Sequence, residues 1–99
     1  MDGVESAAEQ LERLIGDPMA GAARGTVTVI TVSAPDGRAR YQECSLSLRA
    51  EAEGLGASIV ETAAVIDRRH WPRVGTVLPA RISRTHPGTV EVDWDALSR

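Results

Sequence analysis

The chain has 99 residues, with 11 basic and 14 acidic side chains and a formal net charge of −3. That length fits one domain with a single core, burying roughly 60–65% of the unfolded surface, and the negative balance argues against indiscriminate binding to polyanions. The lone Cys44 excludes an internal disulfide, no run approaches the roughly 20 apolar residues of a membrane span, and no basic-then-apolar leader opens the chain, so a cytoplasmic location is expected.

Val4 to Gly16 reads as a helix. Val4, Ala7, Ala8, Leu11, Leu14 and Ile15 recur at the spacing of one apolar stripe, with Glu5, Glu9 and Glu12 toward the N-terminus and outer face. Gly16 is a stop signal, and Pro18 follows it. Residues 1–17 therefore form an expected N-terminal amphipathic helix. The small, flexible "DPMAGAARG" stretch supplies a linker over 18–24, and 25–99 forms the body of the domain.

From Gly25 the period changes to two. In "GTVTVITVS" Val27 and Val29 share one parity, and Ile30 and Val32 take the other. Such a phase change marks either a bulge or a strand covered on both faces. "APDGRA" has the order of a tight turn. "YQECSLSLRAEAE" is the clearest strand, with Cys44, Leu46, Leu48, Ala50 and Ala52 inward and polar residues between them. After Gly54 and Gly56, Ala57 to Asp67 reads as a third strand of mixed parity. "RRHWPRVG" connects it to a fourth, "TVLPARIS", where Pro79 argues for an edge position or a bulge. "TVEVDWD" is the fifth, with Val90, Val92 and Trp94 inward and Glu91, Asp93 and Asp95 outward. The fold class is mainly β (α+β): a five-stranded small antiparallel barrel, OB-like or SH3-like, behind a helix.

"VGTVLPARISRTHPGTVEVDW", Val74 to Trp94, resembles a pattern in small uncharacterised actinobacterial β-barrel proteins. In these, a glycine precedes Leu-Pro-Val-Arg-Val, a short turn follows, and the last strand ends in Val-Asp-Trp. The likeness extends over Gly25 to Trp94 and departs at "SRTHPG", where the family's turn carries more acid. It implies a hairpin and no particular chemistry.

Few residues suit catalysis. Cys44 falls on the buried parity, whereas a nucleophilic cysteine wants an accessible, electropositive setting. Cys44, His70 and His86 are too scattered to predict a zinc site, and no phosphate loop, Ser-His-Asp order or nucleotide fingerprint is present. Asp93 and Asp95 share a strand face but sit beside arginines, so a raised carboxyl pKa is not expected. Arg81 and Ser83 are expected outward, opposite or diagonal to Glu91 and Asp93, as register-setting pairs. An enzyme is not expected, nor a cofactor, nor a metal.

Charge is the uneven feature. Arg68, Arg69, Arg73, Arg81 and Arg84 lie in a stretch to His86 that holds no acid, and Trp71 is set among them. All eleven basic residues are Arg, as codon bias in a GC-rich genome would produce; Arg is also the side chain best suited to a two-bond grip on carboxylate or phosphate. Arg68, Arg69, Trp71, Arg73, Arg81 and Arg84, with Leu11, Leu14 and Ile15 of the helix, are the expected contact residues. The expected role is a non-catalytic protein-interaction or self-association module, with a protein partner or a second copy as a homodimer. The alternative is a small nucleic-acid-binding protein using the arginines, in which Arg38, Arg40, Arg84 and His86 would occupy the first and last hairpin loops.

Overall fold

A computed structural model describes residues 17–86 and 88–99. The expected helix, and with it Leu11, Leu14 and Ile15, lies outside the described residues.

Five strands form one antiparallel sheet: β1 (Ala23–Val32), β2 (Tyr41–Ala52), β3 (Leu55–Asp67), β4 (Val77–Ile82) and β5 (Val90–Val92). Their order is β3-β2-β1-β4-β5. The first four strands are thus a Greek key, because β4 returns by a long connection to lie beside β1. The sheet curls into a nearly closed, barrel-like form. Its last gap is bordered by the far end of β3 and a C-terminal 3-10 helix, Trp94–Ser98.

The alternating residues do what their period demands. Val27, Val29, Cys44, Leu46, Leu48, Ala50, Val60, Ile66, Leu78, Ala80 and Ile82 form one buried cluster on the inner face. With no Phe available, Trp71, Trp94 and Leu97 pack at its margins. The parity change in β1 is a bulge. Val29 pairs with Leu48 and Thr31 with Ser47, so Ile30 is the extra residue and turns outward. One inserted residue bends the strand and lets the sheet curl.

Two glycines in this frame have opposite physical meaning. A Cβ on Gly25 would land on the Glu51 carbonyl oxygen and within 2.8 Å of Ile82 Cδ1 and 2.9 Å of Ala52 Cβ. Gly25 is therefore required by close backbone approach at the point where β1 meets both neighbours. Gly56, which reads from sequence as part of a turn, lies within β3 with open space around it. The turn itself is made by Gly54 at φ 79°.

Three sequence expectations change. The fifth strand is only Val90–Val92, and Trp94 reaches the core from the 3-10 helix instead. Ser83 is buried, not outward. Pro79 lies in a strand paired on both sides, to β1 and β5. It is tolerated because its carbonyl accepts from Asp93 N–H at the point where β5 has just ended. Its missing donor faces the same side, where no ladder bond is lost.

Gly25→Ala should destabilise the fold by about 1–3 kcal/mol through overpacking, whereas Gly56→Ala should be neutral or stabilising by up to about 1 kcal/mol. Urea denaturation of the two variants beside the parent chain checks the contrast.

Candidate functional site

The arginines that look like one basic run in sequence are divided into three groups, two engaged within the fold and one exposed. At the end of β3, Asp67 begins a single 3-10 turn, Arg68–His70, by accepting the backbone N–H of Arg69. The same carboxylate accepts Arg69 Nη2 at 3.0 Å and Arg40 Nε at 3.2 Å. Arg40 also lies 5.2 Å above the ring centre of Tyr41. Asp67 thus ties the start of β2 to the end of β3. The Arg69 side chain, then its backbone N–H, then Arg40, hold the Asp67 carboxyl well below the ordinary carboxylate range.

Arg81 and Arg84 do a second task. Arg84 Nε donates to Gly21 O at 3.0 Å, and Arg81 Nη2 reaches Met19 O at 3.5 Å. Arg81 also faces Glu91 directly across the β4–β5 ladder, Nη1 to Oε1 at 3.5 Å. That pairing matches the expected cross-strand contact; Asp93 instead pairs with Arg99 at 2.9 Å. Ser83 completes the arrangement from inside. Its hydroxyl donates to Pro18 O and accepts His86 N–H at 2.9 Å and Thr85 N–H at 3.3 Å. The segment read as a flexible linker is therefore fastened to the last hairpin, and β1 begins at Ala23 rather than Gly25. Its own turn is closed by Asp17, which accepts from Met19 N–H.

Arg68 and Arg73 are exposed and form no ion pair among the described residues. Trp71, placed by composition in a nucleic-acid-like stretch, packs against the core. Its indole N–H donates to Ser33 O at 2.8 Å. The partly buried ring is therefore committed to the fold, and Pro72 beside it is buried. The structure brings Arg68, Arg69 and Trp71 together at the end of β3, and places Arg81 and Arg84 on the hairpin with residues 18–22.

Between these groups and the C-terminal helix is an open cleft of about 380 Å³, bordered by Arg40, Tyr41, Asp67, Arg69, His70 and Trp94. Both of its arginines are bound to Asp67, and Asp95 adds a second carboxylate to the lining. Cys44 is fully buried, and burial raises its thiol pKa against the opposing Ser33 hydrogen bond, so it is kept as an unreactive thiol. Among the described residues no three His, Cys, Asp or Glu side chains are placed to hold a metal ion. No described helix is long and apolar enough to cross a membrane.

Sequence reasoning missed a different feature. β3 pairs with β2 alone among the described residues. Along its outer face Ile59 is 61% and Val65 69% exposed. The mixed parity of "ASIVETAAVID" carried this signal, since a one-sided strand in a soluble sheet ordinarily puts polar residues on its wet face. No family model matches the chain, and no curated protein or solved structure matches it either.

Two outcomes follow from these contacts. Asp67→Asn should lower the melting midpoint by a few degrees at pH 7. Because the folded-state pKa is depressed, that contribution is full above the ordinary carboxylate value of about 4 and fades as pH falls below it, so melting curves at pH 7 and pH 2 should differ for parent and variant at the first pH and converge toward the second. Ser83→Ala leaves Pro18 O and two amides without a partner, a loss of about 1–3 kcal/mol. Amide exchange at Ala20 and Ala22 should then speed up ahead of the β1 and β2 amides.

Proposed function

We propose that this chain is a non-catalytic binding module of OB-like topology that acts through contact with a protein, a second copy of the chain included. The Greek-key order supports OB-like over SH3-like, because an OB barrel is a partly open, five-stranded Greek key. The observation that carries the functional reading is the apolar edge strand β3, whose second side has no strand partner among the described residues. Ile59 and Val65 stand exposed beside free backbone donors and acceptors, the combination that strand-adding partners recognise.

The engagement of the arginines weighs against the nucleic-acid alternative. Arg40 and Arg69 are bound to Asp67, Arg81 to Glu91, and Arg84 to a backbone carbonyl. A phosphate backbone would have to displace these partners, and Trp71 offers little free ring for stacking. Arg68 and Arg73 are left as exposed cations suited to the polar rim of a protein contact, where charge sets on-rate and orientation more than affinity.

Titration of labelled single- and double-stranded oligonucleotides at low salt tests this reading. The expected result is no saturable binding. Binding that weakens steeply with added salt, and is lost in Arg68→Ala plus Arg69→Ala, would overturn it in favour of a nucleic-acid binder.

A further inference from the structure

We infer that the free edge of β3 joins two copies of this chain, antiparallel about a two-fold axis at Thr62, so that their sheets become one. This rests on the protein-contact reading above and names its partner. The phase of the edge is fixed by the ladder. Arg68 N–H donates to Arg40 O, and the β2–β3 register runs unshifted from Tyr41↔Asp67 to Ala50↔Ser58. Hydrogen-bonded pairs alternate in an antiparallel ladder. From Ser58 to Ile66 the even-numbered β3 residues therefore face β2, and the N–H and C=O groups of Ile59, Glu61, Ala63 and Val65 face the open side.

Edges that remain single are blunted by proline, lysine, bulges or brevity. Over residues 58–65 β3 uses none of these, and its bulge lies outside that span, between Leu55 and Ser58. The strand is 13 residues long, contains no Pro, Lys or Arg, and carries one charge along its exposed apolar face, Glu61. The other edge strand, β5, is only three residues long.

Self-pairing is favoured by complementarity of the strand with its own reversed copy. Centring the axis on Glu61 would set that carboxylate opposite its own copy. Centring it on Thr62 sets Ile59 opposite Val65 of the second copy and Glu61 opposite Ala63. Val60 then meets Ala64 on the inner face, and Thr62 meets Thr62. Apolar faces apolar, the acid faces a neutral residue, and the edge donors meet edge acceptors, the pairs that stabilise a two-stranded contact.

Sedimentation velocity over a concentration series should show a reversible dimer. Ala63→Pro removes an N–H that β2 does not use, so the circular dichroism should persist while the dimer dissociation constant rises at least about tenfold. Ile59→Lys with Val65→Lys, both at exposed positions, should weaken it at least as much by setting like charges opposite each other. Thr62→Cys should form a disulfide across the axis under mild oxidation, with buried Cys44 left reduced. A chain that is monomeric at all concentrations, or a dimer indifferent to both substitutions, overturns the inference. A dimer weakened by Ala63→Pro that Thr62→Cys fails to cross-link overturns the register. The oligonucleotide titration decides the underlying reading separately: a monomer that ignores nucleic acid removes the β3 dimer while leaving a different protein partner in place.

Discussion

The double pairing of β1 holds this structure together. Thr26 and Thr28 turn their backbone groups toward β2, while Val27 and Val29 turn theirs toward β4 and the connection before it. Without β1 at the centre, the β2–β3 hairpin and the β4–β5 hairpin would be separate two-stranded ribbons, and neither alone is stable in water. Gly25 allows the close approach on one side, and the bulge at Ile30 bends the strand on the other. Most of the buried cluster lies on β1 or on the two strands it bonds. Because the core is made of small aliphatic side chains, its stability depends on how closely these three strands curl around it, as each buried residue contributes less area than an aromatic would.

Legibility in the sequence followed the strength of the alternation. β2 was readable residue by residue, since Cys44, Leu46, Leu48 and Ala50 leave polar side chains between them and one face must be wet. The bulge in β1 was readable as a parity break. The last strand was not, because "TVEVDWD" keeps its alternation past Val92 while the backbone turns into a 3-10 helix. Trp94 is inward in both geometries, so the pattern cannot tell them apart. Ser83 escaped for a related reason. A hydroxyl at a strand end reads as solvent-facing, and nothing local reveals that Pro18, sixty-five positions earlier, brings a carbonyl to meet it.

The arginines show why a charge run in sequence is a poor guide to a charged surface. Between Arg68 and His86 no acid is present, yet Asp67 stands one residue before the run and Glu91 five residues after it. Folding brings both back. Asp67 is only 15% exposed at its side chain and is shared by two guanidinium groups, which makes it a junction between the ends of β2 and β3. Arg81 and Arg84, at the other hairpin, satisfy carbonyls of a turn that has few other partners. The planar, multi-donor guanidinium suits both roles, and a lysine in either place could not span two acceptors in the same way. A use within the fold therefore accounts for Arg69, Arg81 and Arg84 of the run, and for Arg40 outside it, before any partner is considered.

The strand that holds Asp67 is the longer of the two that lack a second neighbour among the described residues, and the two facts are connected. β3 is longer than any other strand because the β2–β3 hairpin continues past the point where β1 and β4 stop supporting it. Its far end is fastened by Arg40 and Arg69 through Asp67. That fastening holds the edge extended and in register, whereas an unfastened two-stranded ribbon would fray. A preorganised edge loses less conformational entropy when a second strand is added than a loose one does. The ion pairs at Asp67 thus bear on the proposed association without touching a partner: they keep Ile59 to Val65 in the conformation a second strand would have to find. The protein commits its acid at this end to rigidity and leaves a single carboxylate, Glu61, along the apolar face, less charge than single edges ordinarily carry, which is the physical basis of the proposed dimer.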